Sequence, residues 1–408
     1  MAYGPLSPQS PPPMTETPSP KPKRIDYIDL LRGWAVIVMI ETHMVNATIV
    51  QEAKEGTAFG WLTFINGLVA PSFTFASGLA YAVTTRRKLN DYLSFGPPLF
   101  KQIRRLLFVI FIGYLLHFPK FNIHQLLEES TERDWQIFFQ ADVLQCIGVS
   151  LLIMQGLLLA LRSERRMYSF LLGLAVVVVF ATPIVWGIDW WQYLPLPVAG
   201  YMNGIHFPKF PGFPLFPWSA FLFAGAVFGY FYLDAKEKGR EGSDYNESKM
   251  MQRVLWIAPS LILFSALIEP LASRLYPSYD YGLSSPSFFL LRLGIVMVVC
   301  AAMFFYEKRF GVSPRSLVTL VGRESLLVYS VHLLLIYGNF AKFNFQKRVN
   351  HTFGYLEAFI ATALLIGIMI GFALVWDRVR KKDPHVRLRI LWGVAVALAL
   401  VFFFGPGE

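Results

Sequence analysis

Apolar runs about as long as a bilayer core is thick follow one another along nearly the whole chain, and the charged residues lie between them. LLGLAVVVVFATPIVW, FFLLRLGIVMVVCAAMFFY and AFIATALLIGIMIGFALVW reach, with their apolar neighbours, the roughly 20 residues a helix needs to cross hydrocarbon. Lipid offers no partner to a backbone amide, so a spanning segment must close its own hydrogen bonds as a helix or within a barrel. The runs lack the apolar-polar alternation of barrel strands, which leaves helices. Of the 408 residues, 55% are hydrophobic, above the roughly 45–50% usual in soluble domains. The expected fold class is all-α, a polytopic integral membrane helical bundle.

The pattern predicts about eleven spans, near 28–50, 59–83, 101–118, 141–161, 168–187, 215–233, 253–273, 286–306, 317–338, 354–376 and 387–404. Lys and Arg test this count, because cytoplasmic segments carry the excess. With a cytoplasmic N-terminus, 26 of the 37 basic residues fall in inside segments and 8 in outside ones; Arg32, Arg292 and Arg323 fall within spans. The net charge of +10 is therefore a topological signal and not a nucleic-acid surface. Residues 1–24 are proline-rich, with almost no apolar bulk, and are expected to be a disordered tail before one transmembrane domain over 25–408. Cys146 and Cys300 both fall within spans, where thiols act as small apolar groups, so neither a disulfide nor a metal site is expected. HExxH, GxSxG, Walker and CxxC motifs do not occur. The sequence HFPKF occurs twice, at His117–Phe121 and His206–Phe210, in two long aromatic outside loops. The flanks differ, which favours coincidence; if the identity has meaning, aromatic faces beside histidines suit a sugar-like ligand.

Ionisable groups inside a bilayer are costly and by default face a bundle interior where they have a function. Arg32 and His43 are eleven residues apart in the first span, which returns them to within about 20° of one helix face, separated by about 16 Å. Asp29, one turn before Arg32, is placed to pair with it, and Glu41 points nearly opposite to His43. In the ninth span Ser325 and His332 share a face with Tyr329 beside it. The plain alternative makes Arg32 an interfacial anchor and His332 a core histidine bonded to a neighbouring helix.

In order along the chain, RIDYIDLLRGWAVIVMIETH, LVAPSFTFASGLA, DVLQCIGVSLL, FPLFPWSAFLFAGAVFG and VGRESLLVYSVHLLL occur. Together they resemble the bacterial relatives of heparan-alpha-glucosaminide N-acetyltransferase, in the transmembrane acyltransferase superfamily that also holds the type-3 acyltransferases. The resemblance implies a multi-pass enzyme of the bacterial inner membrane. It would take an acyl group from cytoplasmic acetyl-CoA or another acyl-CoA and place it on a sugar or glycan at the other face, with the lipid bilayer as its setting and no metal. Arg32 and His43 match the arginine and histidine pattern of the type-3 enzymes, which implies a catalytic role for His43 and raises one for His332. The heparan enzyme's active-site histidine lies in the loop after its first span, and here that loop, MVNATIVQEAKEGTAFGW, has none, so heparan chemistry is not implied. Arg32 and Asp29 are then candidates to bind the donor, and Asn66, Ser325 and Tyr329 to support an oxyanion. Arg86, Arg87, Arg104 and Arg105 are weaker candidates for the CoA phosphates. A transporter or flippase for an envelope precursor is the alternative, a homo-oligomer is admitted, and no nucleic-acid partner is expected.

The charge distribution predicts that a cysteine introduced at Lys382 reacts with an impermeant maleimide only after the membrane is opened. Labelling in intact cells would invert the whole topology.

Overall fold

The computed structural model describes residues 24–207, 211–338, 344–382 and 384–405. All but Arg24 of the expected disordered tail, and the last three residues of the second HFPKF copy, lie outside the described residues. In chain order the helices are α1 (Asp26–Thr48), α2 (Thr57–Asn66), α3 (Val69–Leu93), α4 (Pro97–Leu116), α5 (Ile123–Glu128), α6 (Glu132–Phe139), α7 (Val143–Leu161) and α8 (Glu164–Trp186). There follow α9 (Leu196–Ala199), α10 (Leu215–Arg240), α11 (Glu247–Leu275), α12 (Pro286–Phe310), α13 (Leu317–Arg323), α14 (Ser325–Tyr337), α15 (Phe345–Val349), α16 (Tyr355–Lys382) and α17 (Pro384–Phe404). Among the described residues there is no β-strand, only a bridge between Ile49 and Phe353. The fold is all-α.

Every expected span falls on a helix or a helix pair: 59–83 on α2 with α3, and 317–338 on α13 with α14. Among the described residues, 7 helices are long and apolar enough to cross a membrane, or 8 if the bent pair α13–α14 is one span. The difference from eleven lies in α1 and α4, which carry many polar side chains, and in α17, whose apolar stretch Leu388–Phe404 is shorter. The ninth span departs most from expectation: the chain bends by 87° at Glu324, so one continuous helix becomes two.

Bundle helices cannot be pressed together by expulsion of water from lipid; they associate where small residues let backbones approach. A Cβ on Gly78 of α3 would lie 1.9 Å from the Leu222 carbonyl oxygen of α10, and one on Gly225 would lie 2.0 Å from that of Phe75. The same device joins α1 to α13, where a Cβ on Gly33 would meet the Val318 oxygen at 2.0 Å and one on Gly322 the Asp29 oxygen at 2.0 Å. Tyr27, Leu31, Ala35, Val36 and Ile40 bury α1 in the core.

One end of the bundle gathers ion pairs. Arg86 of α3 reaches Glu164 of α8 at 2.6 Å and Glu237 of α10 at 2.5 Å. The Tyr27 amide donates to Glu307 of α12 at 2.6 Å, and Lys308 bonds Ser248 of α11. This is the end that the basic residues predict to be cytoplasmic. Arg86, already held by two carboxylates, is a poor candidate for CoA phosphate.

At the other end the two long loops form one cap. Arg133 lies over the Phe207 ring at 4.4 Å and donates to the His206 carbonyl at 3.2 Å. His206 stacks on Trp191 at 3.8 Å and hydrogen-bonds Asp189 at 2.7 Å, which holds that carboxyl below its usual range. In the first HFPKF copy, Phe118 packs edge-on against Phe138 and Phe402, and Phe121 against Phe402. Those rings are occupied by neighbours.

Gly322→Ala is expected to force α13 off α1 and destabilise the protein by about 1–3 kcal/mol, as overpacking does. Gly156→Ala, in open space, should leave the melt unchanged or slightly raised. Thermal unfolding in detergent compares them; equal melts would show that the α1–α13 contact contributes nothing.

Candidate active site

α1 and α14 lie side by side and meet at two levels. At the first, Arg32 Nη2 donates to Ser325 Oγ at 2.5 Å, while Arg32 Nη1 stands 3.9 Å from Asp29, which is itself 3.7 Å from Arg24. Ser325 is the first residue of α14, and the buried Glu324 at the bend pairs with Arg380 of α16 at 2.8 Å. A broken helix is tolerated at membrane depth only where protein or a wet cavity satisfies the freed groups. Here a guanidinium, two carboxylates and a hydroxyl converge on the break, and Arg32 Nε and Arg323 Nε are buried without a hydrogen-bond partner among the described residues.

At the second level two histidines face each other, with His43 and His332 ring centroids 5.4 Å apart and planes at 45°. His332 is fully buried, and its Nδ1 lies 2.8 Å from the Val328 carbonyl oxygen. A carbonyl only accepts, so Nδ1 carries the proton and Nε2 of the neutral ring presents a lone pair. That Nε2 is buried and has no protein partner among the described residues. Tyr337 donates its hydroxyl proton to the His43 carbonyl at 3.1 Å, and the same oxygen is 3.4 Å from His43 Nδ1. With the tyrosine proton committed, His43 Nδ1 is the donor in that contact, and Nε2 of His43 also presents a lone pair. These hydrogen bonds assign both tautomers, and each ring of the pair keeps an Nε2 lone pair.

From this pair a polar line runs to the capped end. Tyr329, its ring 5.8 Å from His332, donates to Asp142 at 3.2 Å. Asp142 caps α7 by accepting from the Val143 amide at 2.7 Å, and its other oxygen lies 3.5 Å from His117 Nε2. His117 Nδ1 is 3.1 Å from the Gly113 carbonyl oxygen.

The structure therefore brings together Arg32, Asp29 and Ser325 at one level and His43, His332 and Tyr329 at the next. Asn66 lies apart. It is the last residue of α2, and among the described residues no hydrogen bond joins its side chain to the histidine pair. Tyr337, Asp142 and His117 belong to the site although sequence reasoning did not place them there. For Asp142 a signal existed: an aspartate immediately before the apolar run VLQCIGVSLL reads as a helix cap. Cys146 and Cys300 are free and buried, as thiols in spans should be.

This geometry sits within a recognisable sequence unit. The family model for the heparan-alpha-glucosaminide N-acetyltransferase catalytic domain matches residues 24–266. The chain belongs to this family. Among curated proteins none matches it. The matched region runs from α1 into α11 and holds Arg32, His43, His117 and Asp142, whereas Ser325, Tyr329, His332 and Tyr337 lie beyond it on α14. The protein is thus an acetyltransferase-like, multi-pass membrane protein.

A buried hydroxyl bonded to a carboxylate contributes about 1.5–3 kcal/mol. Tyr329→Phe and Asp142→Asn should each destabilise by that order, and the double variant by clearly less than their sum. A double-mutant cycle on reversible unfolding in mixed micelles measures it; additive losses would show that Tyr329 and Asp142 do not interact.

Proposed function

We propose that this family member moves an acetyl or other acyl group from acyl-CoA at the ion-paired end of the bundle to a hydroxyl or amine of a glycan at the capped end. The bilayer is taken to be the bacterial inner membrane. One observation supports the reading: two histidines whose hydrogen bonds leave Nε2 lone pairs lie with ring centroids 5.4 Å apart in the bundle of an acetyltransferase family.

The division of labour follows from the two levels. Arg stays charged and offers several donors, which suits phosphate or carbonyl oxygens of a donor entering at the break. Arg32 and Asp29 hold that end, with Ser325 fixing the guanidinium. About 16 Å further along α1 the thioester meets the histidine pair. There the acceptor oxygen or nitrogen attacks the thioester carbonyl carbon as His43 removes its proton, the C–S bond breaks, and the CoA thiolate leaves to be protonated at the donor side. His332 stands beside His43 as the second proton acceptor. Tyr329 holds the helix that carries His332 by its bond to Asp142.

The break between α13 and α14 favours a second reading, since discontinuous helices form the binding sites of many transporters. That reading predicts substrate exchange across the membrane without acyl-CoA.

Purified protein in liposomes, given radiolabelled acetyl-CoA and a panel of glycans, decides between them. Transfer by the wild type is expected, with His43→Ala lowering single-turnover transfer about 100-fold or more while donor still binds. Arg32→Ala should regain much of its transfer at high acyl-CoA. Near-normal transfer by His43→Ala would move the base to His332, and no transfer to any acceptor, with acceptor counterflow instead, would make the protein a transporter.

A further inference from the structure

On the flank of the bundle away from the histidines lies a cavity of about 490 Å³ that the acyl-transfer reading does not use. Its floor is α10 and α12, with Phe75 of α3, and its walls are α8 and α11. The lining is apolar except at one end. Leu172, Val176, Phe231 and Ile257 at the rim are about half exposed, so the cavity opens sideways, while Val227, Val254 and Leu293 behind them are buried. From Met250 to Leu261 the wall formed by α11 extends about 16 Å along the helix axis. The shape is a slot that follows the membrane normal.

The exception to the apolar lining is Arg253, which lies with Tyr245 at the slot's ion-paired end. Its guanidinium sits 4.5 Å over the Tyr245 ring. Among the described residues it forms no ion pair, whereas its neighbour Lys249 has Asp244 at 4.0 Å and Lys308 has Ser248. An apolar slot of this length, open to hydrocarbon and closed at the interface by an arginine without a carboxylate, is complementary to one class of ligand. An acyl chain fills the slot and a phosphate meets the guanidinium. Clusters of basic side chains at this level attract anionic headgroups, and basic pockets between transmembrane helices bind them.

We propose that the slot between α8 and α11 is a binding site for an anionic glycerophospholipid, with Arg253 on the phosphate and one acyl chain along α11. The bound lipid covers the half-exposed rim side chains Leu172, Val176, Phe231 and Ile257. It is distinct from the lipid ring that surrounds any membrane protein, because one chain enters the protein and one named cation selects the headgroup.

The test uses the full chain in nanodiscs of phosphatidylcholine doped with phosphatidylglycerol, released into the gas phase for native mass spectrometry. The wild type should retain phosphatidylglycerol in excess of its share of the disc. Arg253→Gln, a change at an exposed side chain, should lower that preference about fivefold while total retained lipid falls little. Val227→Trp, which fills the slot, should lower retention of both lipids; Leu172→Trp at the rim does so without touching the buried floor, in case Val227→Trp fails to fold. Equal retention of the two lipids by the wild type, or a preference unchanged by Arg253→Gln, would overturn the proposal in favour of ordinary surrounding lipid. Lipid-free protomer pairs would overturn it in favour of an interface between copies of the chain.

Discussion

A helix that carries Asp29, Arg32, Glu41 and His43 cannot face hydrocarbon, so the architecture is organised around covering α1. α3, α12, α13, α14 and α16 surround it. Each polar group then needs a partner from a neighbour, because no water is at hand. Ser325 answers Arg32 and Tyr337 answers His43. Both lie on α14, at its two ends, so one neighbouring helix supplies a polar partner at each height of the candidate site. α11, which does not pack on α1, has no such duty and reads largely as an apolar run with exposed leucines and isoleucines.

This explains what the sequence reveals and what it conceals. Spans are legible because length and apolarity are local properties, and the eleven expected segments all fall on helices. The face shared by Arg32 and His43 is legible for the same reason, since helical periodicity fixes it. The bend at Glu324 is not: VGRESLLVY contains no proline, and its only glycine, Gly322, serves the close approach to Asp29. A helix break there is sustained by Arg380 and Arg32, which come from elsewhere in the chain. Nor can spacing show that His43 and His332 meet, because nothing within either segment encodes the register between them. Asp142 and His117 look like interfacial residues until Tyr329, far along the chain, is found bonded to the carboxylate. Asn66, which stands out by its polarity, ends α2 and makes no hydrogen bond to the histidine pair among the described residues.

The two levels of the site differ in kind. Around Arg32 the partners are the Asp29 carboxylate and the Ser325 hydroxyl, at the ion-paired end. Around His43 and His332 the partners are two tyrosines and backbone carbonyls; His332 is buried and His43 half-buried. An imidazole surrounded by neutral groups keeps its lone pair available for a proton; one flanked by a carboxylate would hold a proton already. The Asp142 carboxylate has its charge engaged by the Val143 amide and the Tyr329 hydroxyl, one residue removed from His332. Separation of anion-binding and proton-accepting levels along one helix is what a transfer between two aqueous faces requires.

The site is also divided along the chain. The matched family region contributes α1 and α7, and α14 comes from beyond it. The register of α14 against α1 therefore determines whether the histidine pair exists at all. A slip of one helical turn, about 5.4 Å, would carry His332 past His43 and Ser325 past Arg32 together. Two contacts oppose such a slip. Gly33 and Gly322 lock α13 to α1 with backbone atoms in contact, and Glu324, at the bend immediately after α13, is tied to Arg380 on α16. Because α14 begins one residue after that bend, its start is fixed by backbone contact and its far end by Tyr337 on His43. The break in the ninth span is thus what sets the histidine pair: an unbroken helix crossing α1 at Gly33 in the direction of α13 would carry His332 away from His43.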